Sequence, residues 1–419
     1  MSYQGTSSGL ISPGFKTKRD TSANRSVAGV WAAMDKRAIT VHQERCAKVR
    51  NRNVTCLKCA EACTSGCISL VEGTLVVNPT QCVGCGTCAT VCPTSALEAH
   101  NPTDAELLGA CVAAALRSKA TGGTAEVALA CQPVREALEG LVADGALVPI
   151  VCAGRVDESL LLGLAAQGVE RVHIVCGDCG YCAQKYGLDT AYLVAETART
   201  LLDCWNVPTE ITVDSTVPTC AVAPHIATEQ AEAAIDAYFS VERTCRPIST
   251  SDEIFANDIV DNTSSTYQLL RVMKDGTLPH FIPDRRERLL DALACLPAPE
   301  TGLVLETHLW GTVSIDAKKC SSCRLCATFC PTGSLRKFDL ETGEFGIDHT
   351  PADCVNCGSC RDICPEEAIT LRESVTAADL LGGTYVRHPM IPRAVSLRNN
   401  PHQIVDTFRQ TFNGDIFER

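Results

Sequence analysis

Short apolar runs alternate with longer amphipathic stretches through the middle of the 419-residue chain. Each run has the length of a strand, and each stretch between two runs has the apolar spacing of a helix. The predicted strands are 124–131, 146–152, 171–176 and 210–214. The predicted helices between them are 133–144, 157–167 and 190–205. Strands that alternate with helices predict an α/β domain whose parallel sheet is covered on both faces.

The segments on either side of this region have other patterns. Residues 103–121 predict a helix with an acidic first turn, and further helices are predicted near 230–240 and 287–296. Residues 312–372 repeat the Cys-rich pattern of 54–98, which indicates an internal duplication. We therefore expect two α+β modules around a central α/β parallel-sheet domain.

The sequence divides into six predicted parts. They are a basic N-terminal arm (1–50), a first Cys-rich module (51–102), the α/β domain (103–215), a helical and loop connector (216–305), a second Cys-rich module (306–374) and a C-terminal docking tail (375–419).

The cysteine content narrows the class of protein. The chain has 27 cysteines, which is typical of disulfides in an oxidising compartment or of metal sites in a reducing one. Residues 1–30 are polar and lack an apolar leader, and no apolar run approaches the roughly 20 residues of a membrane span. We therefore expect a soluble, cytoplasmic protein whose cysteines are mostly metal-bound thiolates.

The net charge indicates the kind of partner. A formal charge of −12 argues against nucleic acid. Residues 16–52 are the exception, since they hold ten Lys/Arg and three Asp/Glu. This stretch is either a solvated basic arm or a docking arm that folds onto an acidic partner subunit.

Two cysteine runs in 306–374 have the spacing C-x2-C-x2-C-x3-C-P. The two-residue gaps let the loop curl around one corner of a [4Fe–4S] cubane, and the C-P step sends the last thiolate to the neighbouring cluster. One cluster is therefore assigned to Cys320, Cys323, Cys326 and Cys364. The other is assigned to Cys354, Cys357, Cys360 and Cys330.

The first Cys-rich module has one regular run and one irregular run. The regular run is Cys82, Cys85, Cys88 and Cys92, followed by proline. The irregular run is Cys56, Cys59, Cys63 and Cys67, which has one extra residue in its second gap and no trailing proline. Exchange of the fourth cysteines assigns one cluster to Cys56, Cys59, Cys63 and Cys92 and the other to Cys82, Cys85, Cys88 and Cys67. The extra residue leaves open which thiolate binds.

Both modules resemble the bacterial-type ferredoxins that hold two [4Fe–4S] clusters, and together they cover about a quarter of the chain. The resemblance implies a ferredoxin-like fold, four [4Fe–4S] clusters and electron transfer, but no particular pathway. The alternative is a zinc ribbon built from C-x2-C pairs. Zinc needs four thiolates, however, and has no use for two octets with prolines at matching positions.

Five further cysteines lie at one predicted edge of the central sheet. Cys131, Cys152 and Cys176 each end a predicted strand, and Cys179 and Cys182 follow in the next turn. Parallel strands bring their carboxyl ends to the edge where α/β proteins bind ligands, so these thiols should converge. They suffice for one more cluster; buried structural cysteines are the alternative.

The segments 151–157 (Val-Cys-Ala-Gly-Arg-Val-Asp) and 176–181 (Cys-Gly-Asp-Cys-Gly-Tyr) resemble the iron–sulfur delta subunit of the methyl-viologen-reducing hydrogenases. That subunit links hydrogenase to heterodisulfide reductase. The resemblance covers 124–215 and implies a [2Fe–2S] cluster on Cys131, Cys152, Cys176 and Cys179. The family's early C-x-x-C is reduced here to Cys131, and Cys182 could replace the missing ligand, so a [4Fe–4S] cluster is the alternative.

The remaining cysteines stand alone and are expected to be mostly small core residues: Cys46, Cys111, Cys204, Cys220, Cys245 and Cys295. His173 and His225 are expected to pack or to form hydrogen bonds rather than to bind metal. The sequence has no C-x-x-C-H motif for haem, no G-x-G-x-x-G and no P-loop.

A chain that holds clusters but no second cofactor motif is expected to conduct electrons, with bond-making chemistry on another polypeptide. We expect a subunit of a soluble multi-subunit oxidoreductase. It would connect a hydrogenase- or formate-dehydrogenase-type catalytic subunit with a flavin-containing or heterodisulfide-reductase-like partner. The alternatives are a stand-alone reductase, which a spare thiol such as Cys182 would favour, and a redox sensor or cluster scaffold.

Overall fold

The structure is a computed structural model of the chain. It describes residues 38–239 and 273–392, apart from 144, 183, 224, 275, 300 and 301. The predicted arm up to residue 37, Cys245 and the predicted tail from residue 393 lie outside the described residues.

The strands of the described part are β1 (Ile39–Val41), β2 (Ile68–Val71), β3 (Thr74–Val77), β4 (Leu97–Ala99), β5 (Glu126–Cys131), β6 (Leu147–Ile150), β7 (Arg171–Val175), β8 (Glu210–Asp214), β9 (Val304–Glu306), β10 (Thr312–Ile315), β11 (Leu335–Asp339), β12 (Phe345–His349), β13 (Ile369–Arg372), β14 (Ser374–Thr376) and β15 (Val386–Met390).

The α-helices of the same residues are α1 (Ala47–Arg50), α2 (Lys58–Glu61), α3 (Thr87–Val91), α4 (Asp104–Gly122), α5 (Gln132–Ala137), α6 (Glu158–Ala166), α7 (Tyr186–Cys204), α8 (Thr228–Phe239), α9 (Asp284–Cys295), α10 (Leu325–Thr328), α11 (Ser359–Asp362) and α12 (Ala377–Leu381). Short 3-10 helices lie at Gln43–Arg45, Ala153–Arg155, Cys179–Tyr181 and Pro351–Asp353. Among these helices, none is both long and apolar enough to cross a membrane.

The parallel sheet predicted from the sequence is confirmed. Its strands run in the order β6-β5-β7-β8, and every neighbouring pair is parallel. Val127 and Leu129 of β5 join the core formed with α4, α6 and α7, whereas Ala128 and Ala130 join the core formed with α5 and α8. Helices therefore cover both faces of the sheet, and we call residues 104–214 the sheet domain.

Most element bounds lie within a few residues of those predicted. The helix expected at 103–121 is α4, and its N-cap Thr103 forms a capping box with Glu106. The largest difference is in α5, which ends at Ala137 instead of continuing to residue 144. Gly140 follows with a φ of 79°, a left-handed conformation that cannot continue the helix.

Two modules share one antiparallel topology. In the N-terminal module (residues 39–99), β1 pairs with β4 and β2 pairs with β3. In the C-terminal module (residues 312–372), β10 pairs with β13 and β11 pairs with β12. Each module has one cysteine run before its central hairpin and another after it. This shared topology agrees with the internal duplication read from the sequence.

The two modules contact each other through residues near the start of the described chain. Arg50 of α1 is buried, and its guanidinium donates to Pro279 O at 2.8 Å and to Cys330 O at 3.3 Å. The backbone N–H and hydroxyl of Thr55 both donate to the carboxylate of Asp362, at 2.8 and 2.7 Å. At least part of the basic segment is therefore used inside the chain itself.

Helix α9, from the predicted connector, packs against the sheet domain. Leu289 and Leu293 lie in the same core as α6 and α7. Trp205, at the end of α7, is fully buried and donates from Nε1 to Leu293 O at 3.1 Å.

We predict that Leu161→Ala destabilises the sheet domain by about 2–5 kcal/mol, because truncation of a fully buried side chain leaves a cavity. Native-state hydrogen exchange of the β5 amides measures the free energy of opening. The matched control is Leu116→Ala on α4, where the leucine is 63% exposed. That control should change the free energy by less than about 0.5 kcal/mol; equal effects of the two substitutions would contradict the described core.

Candidate metal centres

Three of the four predicted cysteine runs share one backbone conformation. The residues immediately before and after the second cysteine of each run have positive φ angles. They are Gly84 and Gly86, Ser322 and Arg324, and Asn356 and Gly358. Left-handed residues turn successive backbone N–H groups toward one concavity, which favours anionic sulfur there. The run that begins at Cys56 differs, because helix α2 occupies the segment around Cys59.

The structure brings the thiols of the C-terminal module into two groups. Burial raises the pKa of Cys326 well above its usual value, and the neighbouring thiols of Cys323, Cys364 and Cys320 raise it further. A separate small cavity has four cysteines in its lining, namely Cys330, Cys354, Cys357 and Cys360. Four thiols around one cavity are the donor set that a [4Fe–4S] cluster requires.

The protonation of these thiols depends on what they bind. Burial raises the pKa of Cys357 to about 12, with Cys330 as the next cause. Without a cation nearby, such a thiol stays protonated at neutral pH, whereas iron binds the thiolate. Cluster binding must therefore supply the positive charge and release the protons.

The thiols of the N-terminal module also form two groups. Burial raises the pKa of Cys59 to about 12, and the nearby thiols that raise it further are Cys92, Cys46 and Cys56. Burial likewise raises the pKa of Cys88, and its neighbouring thiols are Cys85, Cys59, Cys67 and Cys63. The Sγ atoms of Cys63 and Cys67 lie 3.4 Å apart. Both therefore adjoin the second group, while Cys46, expected to stand alone, adjoins the first.

The five cysteines of the sheet domain meet at the carboxyl edge of the sheet. Cys131 ends β5 and Cys176 follows β7, the adjacent strands between which the connections change direction. Ligands bind at such a switch point in open α/β sheets. Burial raises the pKa of Cys176 to about 12, with Cys131 as the next cause. Burial also raises the pKa of Cys179, whose neighbours include Cys176, Cys131 and Cys182.

Cys152 is held where the N-terminal module touches the sheet domain. A Cβ atom added to Gly187 would clash with Cys152 Sγ, and one added to Gly154 would lie 2.8 Å from the Cα of Gly187. The Gly154 backbone also packs against Thr87, two residues after Cys85. Burial raises the pKa of Cys152, and Cys85 is the first of the neighbouring thiols that raise it further. The two glycines therefore permit a close approach between thiols of different domains.

Three arginines bind the backbone of cysteine loops, and the sequence analysis identified none of them. Arg285 donates to Cys92 O at 2.7 Å, Arg286 donates to Cys354 O at 3.3 Å, and Arg50 donates to Cys330 O. Burial lowers the pKa of Arg286 only to about 10, so it stays charged at neutral pH. Two buried guanidiniums thus flank the thiols of Cys330 and Cys354.

One guanidinium nitrogen of Arg286 has no partner among the described residues. Its Nη1 atom is buried and finds no acceptor there. The guanidinium also lies 4.5 Å from the centre of the Trp310 ring, which fixes its orientation. A buried donor beside Cys354 suits a site that receives anionic sulfur.

The other candidate residues have unremarkable surroundings. Cys111 is buried as expected, Cys204 and Cys220 are partly buried, and Cys295 is exposed. His173 shares a hydrogen bond with Thr212 at 3.1 Å, in agreement with the structural role predicted for it.

Within the described ranges, no three Cys, His, Asp or Glu side chains converge closely enough to hold a single metal ion. Each iron atom of a cubane takes one protein thiolate, so the thiols of a cluster site surround a volume instead of meeting at a point.

We predict that Arg286→Gln lowers the reduction potential of the centre at Cys330, Cys354, Cys357 and Cys360, because a buried positive charge stabilises the reduced form. We expect a decrease of roughly 60 mV, equivalent to about one tenfold step in a one-electron equilibrium. Redox titration followed by EPR measures the change. Arg286→Lys should retain most of the wild-type value, and Arg372→Gln removes an exposed charge of the same module as the control. Equal shifts for Arg286→Gln and Arg372→Gln would contradict a local effect.

Comparison with protein families identifies two parts of the chain. Residues 319–368 match the 4Fe-4S dicluster domain, and residues 75–98 match the 4Fe-4S binding domain. The second match covers the regular run of the N-terminal module and begins after the irregular one. No curated protein and no solved structure matches the chain. The chain thus contains two ferredoxin-type domains that bind [4Fe–4S] clusters, a property that indicates electron transfer.

Proposed function

We propose that this chain is an iron–sulfur electron-transfer subunit of a multi-subunit oxidoreductase. It connects a catalytic subunit of the hydrogenase or formate dehydrogenase type with a flavin-containing or heterodisulfide-reductase-like partner. Bound clusters supply one-electron exchange and leave substrate chemistry to other subunits. The two ferredoxin-type domains support this role.

The observation that carries the proposal is a succession of thiol groups that runs from the sheet domain through both modules. It begins in the sheet domain, where Cys152 has Cys85 of the N-terminal module as a neighbour. Within that module, Cys88 and Cys59 connect its two groups. Three groups of thiols therefore follow one another in space: the group of the sheet domain and the two groups of the N-terminal module.

The succession continues across the contact between the modules. Cys56 and Cys357 pack against one shared hydrophobic core. In the C-terminal module, Cys360 has Cys326 of the last group as a neighbour. That group includes Cys323, which is exposed. A series of centres that ends at the surface is suited to exchange electrons with a docked partner.

The sheet domain would hold the fifth centre at the other end. The resemblance of 124–215 to the hydrogenase delta subunit supports a [2Fe–2S] cluster on Cys131, Cys152, Cys176 and Cys179, with Cys182 nearby. Tyr192 lies close to Cys176 and Cys179 and is 48% exposed, so this group is also near the surface. The protein's own part is to fix the thiols, to exclude water from most of them and to place the three arginines.

The test is the iron and acid-labile sulfide content of the full chain purified anaerobically, together with EPR of the reduced protein. Four cubanes and one [2Fe–2S] cluster give about 18 Fe per chain. We also expect the signals of reduced clusters to be broadened by magnetic interaction with their neighbours. Zinc in place of iron, or reduced clusters that are all magnetically isolated, would contradict the proposal. Substrate turnover by the isolated chain would instead favour a reductase.

We predict that Gly187→Ala removes the centre of the sheet domain, because the added methyl group clashes with Cys152 Sγ and forces it to move. Iron should fall by about 2 per chain, while the [4Fe–4S] signals persist. Gly163→Ala is the control, since a Cβ there lies 3.7 Å from Leu108 in ordinary contact. Wild-type iron content in Gly187→Ala would show that Cys152 is not a ligand.

A further inference from the structure

The first cysteine of each regular run has a fixed position in its module. Cys82, Cys320 and Cys354 each stand five residues after the end of a strand: β3, β10 and β12 respectively. The half of the N-terminal module that contains the irregular run, which we call the irregular half, follows β1. The residue five positions after the end of β1 is Cys46. The duplicated topology therefore places Cys46, and not Cys56, at the position of a first cysteine.

Local hydrogen bonds agree with this correspondence. The backbone N–H of Cys354 donates to Pro351 O at 3.0 Å, at the end of a 3-10 helix. The N–H of Cys46 donates to Gln43 O at 3.2 Å, also at the end of a 3-10 helix. The two cysteines have similar extended conformations, with φ and ψ of −76° and 123° for Cys354 and −68° and 118° for Cys46.

The fourth cysteine of a run also has a recognisable environment. In two of the three regular runs its Sγ lies near the hydroxyl of the residue two positions later, at 3.7 Å for Cys92 and Thr94 and at 3.8 Å for Cys330 and Thr332. The second cysteine Cys357 makes a similar contact with Ser359, so this contact supports the correspondence only together with the backbone. In the irregular half, the same contact is made by Cys63, whose Sγ lies 3.5 Å from the hydroxyl of Ser65.

The backbone after the fourth cysteine gives the same result. Three residues later the chain has a positive φ, at Ser95, Gly333 and Glu367 in the regular runs, and Gly66 has this relation to Cys63. Four residues later a backbone N–H donates to the thiol, as from Ala96 to Cys92 at 3.2 Å and from Ala368 to Cys364 at 3.3 Å. Cys67 donates in this way to Cys63. Cys67 therefore occupies the position that Ala96, Ser334 and Ala368 have in the regular runs.

The irregular half is then a regular run with one insertion. Nine residues separate Cys46 from Cys56, where a regular run has two. The additional residues include α1, whose Ala47 joins a core with Phe329 and Ile363 of the C-terminal module. The insertion makes Cys46 distant in sequence from Cys56 and Cys59, although it lies close to both in space.

The surroundings of Cys46 are those of a ligand group. Cys46 and Cys59 are buried in the same core, together with Cys88 and Cys92. Burial raises the pKa of Cys46 to about 11, and Cys92 and Cys56 are the neighbouring thiols that raise it further. By contrast, Cys111 is buried among apolar residues of the sheet domain.

We propose that Cys46, Cys56, Cys59 and Cys92 hold the first cluster of the N-terminal module, and that Cys82, Cys85, Cys88 and Cys63 hold the second. Cys67 is then a ninth thiol, beside Cys63, that holds no iron. The proposal rests on the cluster-binding function proposed above. It replaces the assignment from spacing alone, which gave Cys63 to the first cluster and Cys67 to the second.

The test compares four alanine variants of the full chain, each assembled with iron and sulfide under anaerobic conditions. Cys46→Ala and Cys63→Ala should each lose about 1 Fe per chain if a cubane becomes [3Fe–4S], or about 4 if it is lost. EPR of the oxidised protein detects the [3Fe–4S] product. Cys67→Ala and the buried control Cys111→Ala should keep the iron content and EPR signals of the wild type.

Wild-type iron and EPR in Cys46→Ala, or loss of iron in Cys67→Ala, would overturn the proposal. Cys46→Ser provides a second measurement if the alanine variant does not fold, because a serine oxygen can bind iron in place of sulfur. We expect that variant to retain a cluster with an altered EPR signal, and an unaltered signal would count against Cys46. If the wild type itself contains no iron, the proposed function fails rather than this ligand assignment.

Discussion

The structure depends on one electrostatic constraint, which is that thiols buried against one another become anionic only beside positive charge. Burial and neighbouring thiols raise the pKa of Cys59, Cys357 and Cys176 to about 12. Iron supplies most of the opposing charge when clusters bind. The protein adds to it with guanidiniums that it fixes by hydrogen bonds to the ligand loops, such as that from Arg286 to Cys354 O.

Helix α9 gives these loops a common support. Its adjacent residues Arg285 and Arg286 bind the backbone of Cys92 and Cys354, which lie in different modules. Its leucines meanwhile pack in the core of the sheet domain. A segment that the sequence marks only as part of a connector therefore contacts both Cys-rich modules and the sheet domain. Buried charge at Arg286 and apolar packing at Leu289 and Leu293 follow one another along the same face of the helix, and both hold it against these parts.

The sequence allowed the sheet, most of its helices and the regular cysteine runs to be predicted, because these are local patterns. The apolar run that ends at Cys131 and the acidic first turn of α4 each indicate their structure within a few residues. The neighbours of Cys46 could not be read in this way, since nine residues separate it from Cys56 and the extended spacing matches no short motif. The feature that identifies Cys46 is its spacing of five residues from the end of β1. This spacing becomes informative only when the strands that precede the three regular runs are also known. The contact of Arg50 with Cys330 joins residues 280 positions apart, and no local pattern encodes it.

The insertion that carries α1 has a further consequence in terms of chain entropy. A cluster bound at Cys46 and Cys56, as proposed, would act as a cross-link that closes a short loop, much as a disulfide does, and so would restrict the unfolded chain. The closed loop contains Ala47 and Arg50, which form the contact with the C-terminal module. With that ligand set, binding of the first cluster and docking of the two modules would each favour the other, because both order the same short segment of chain.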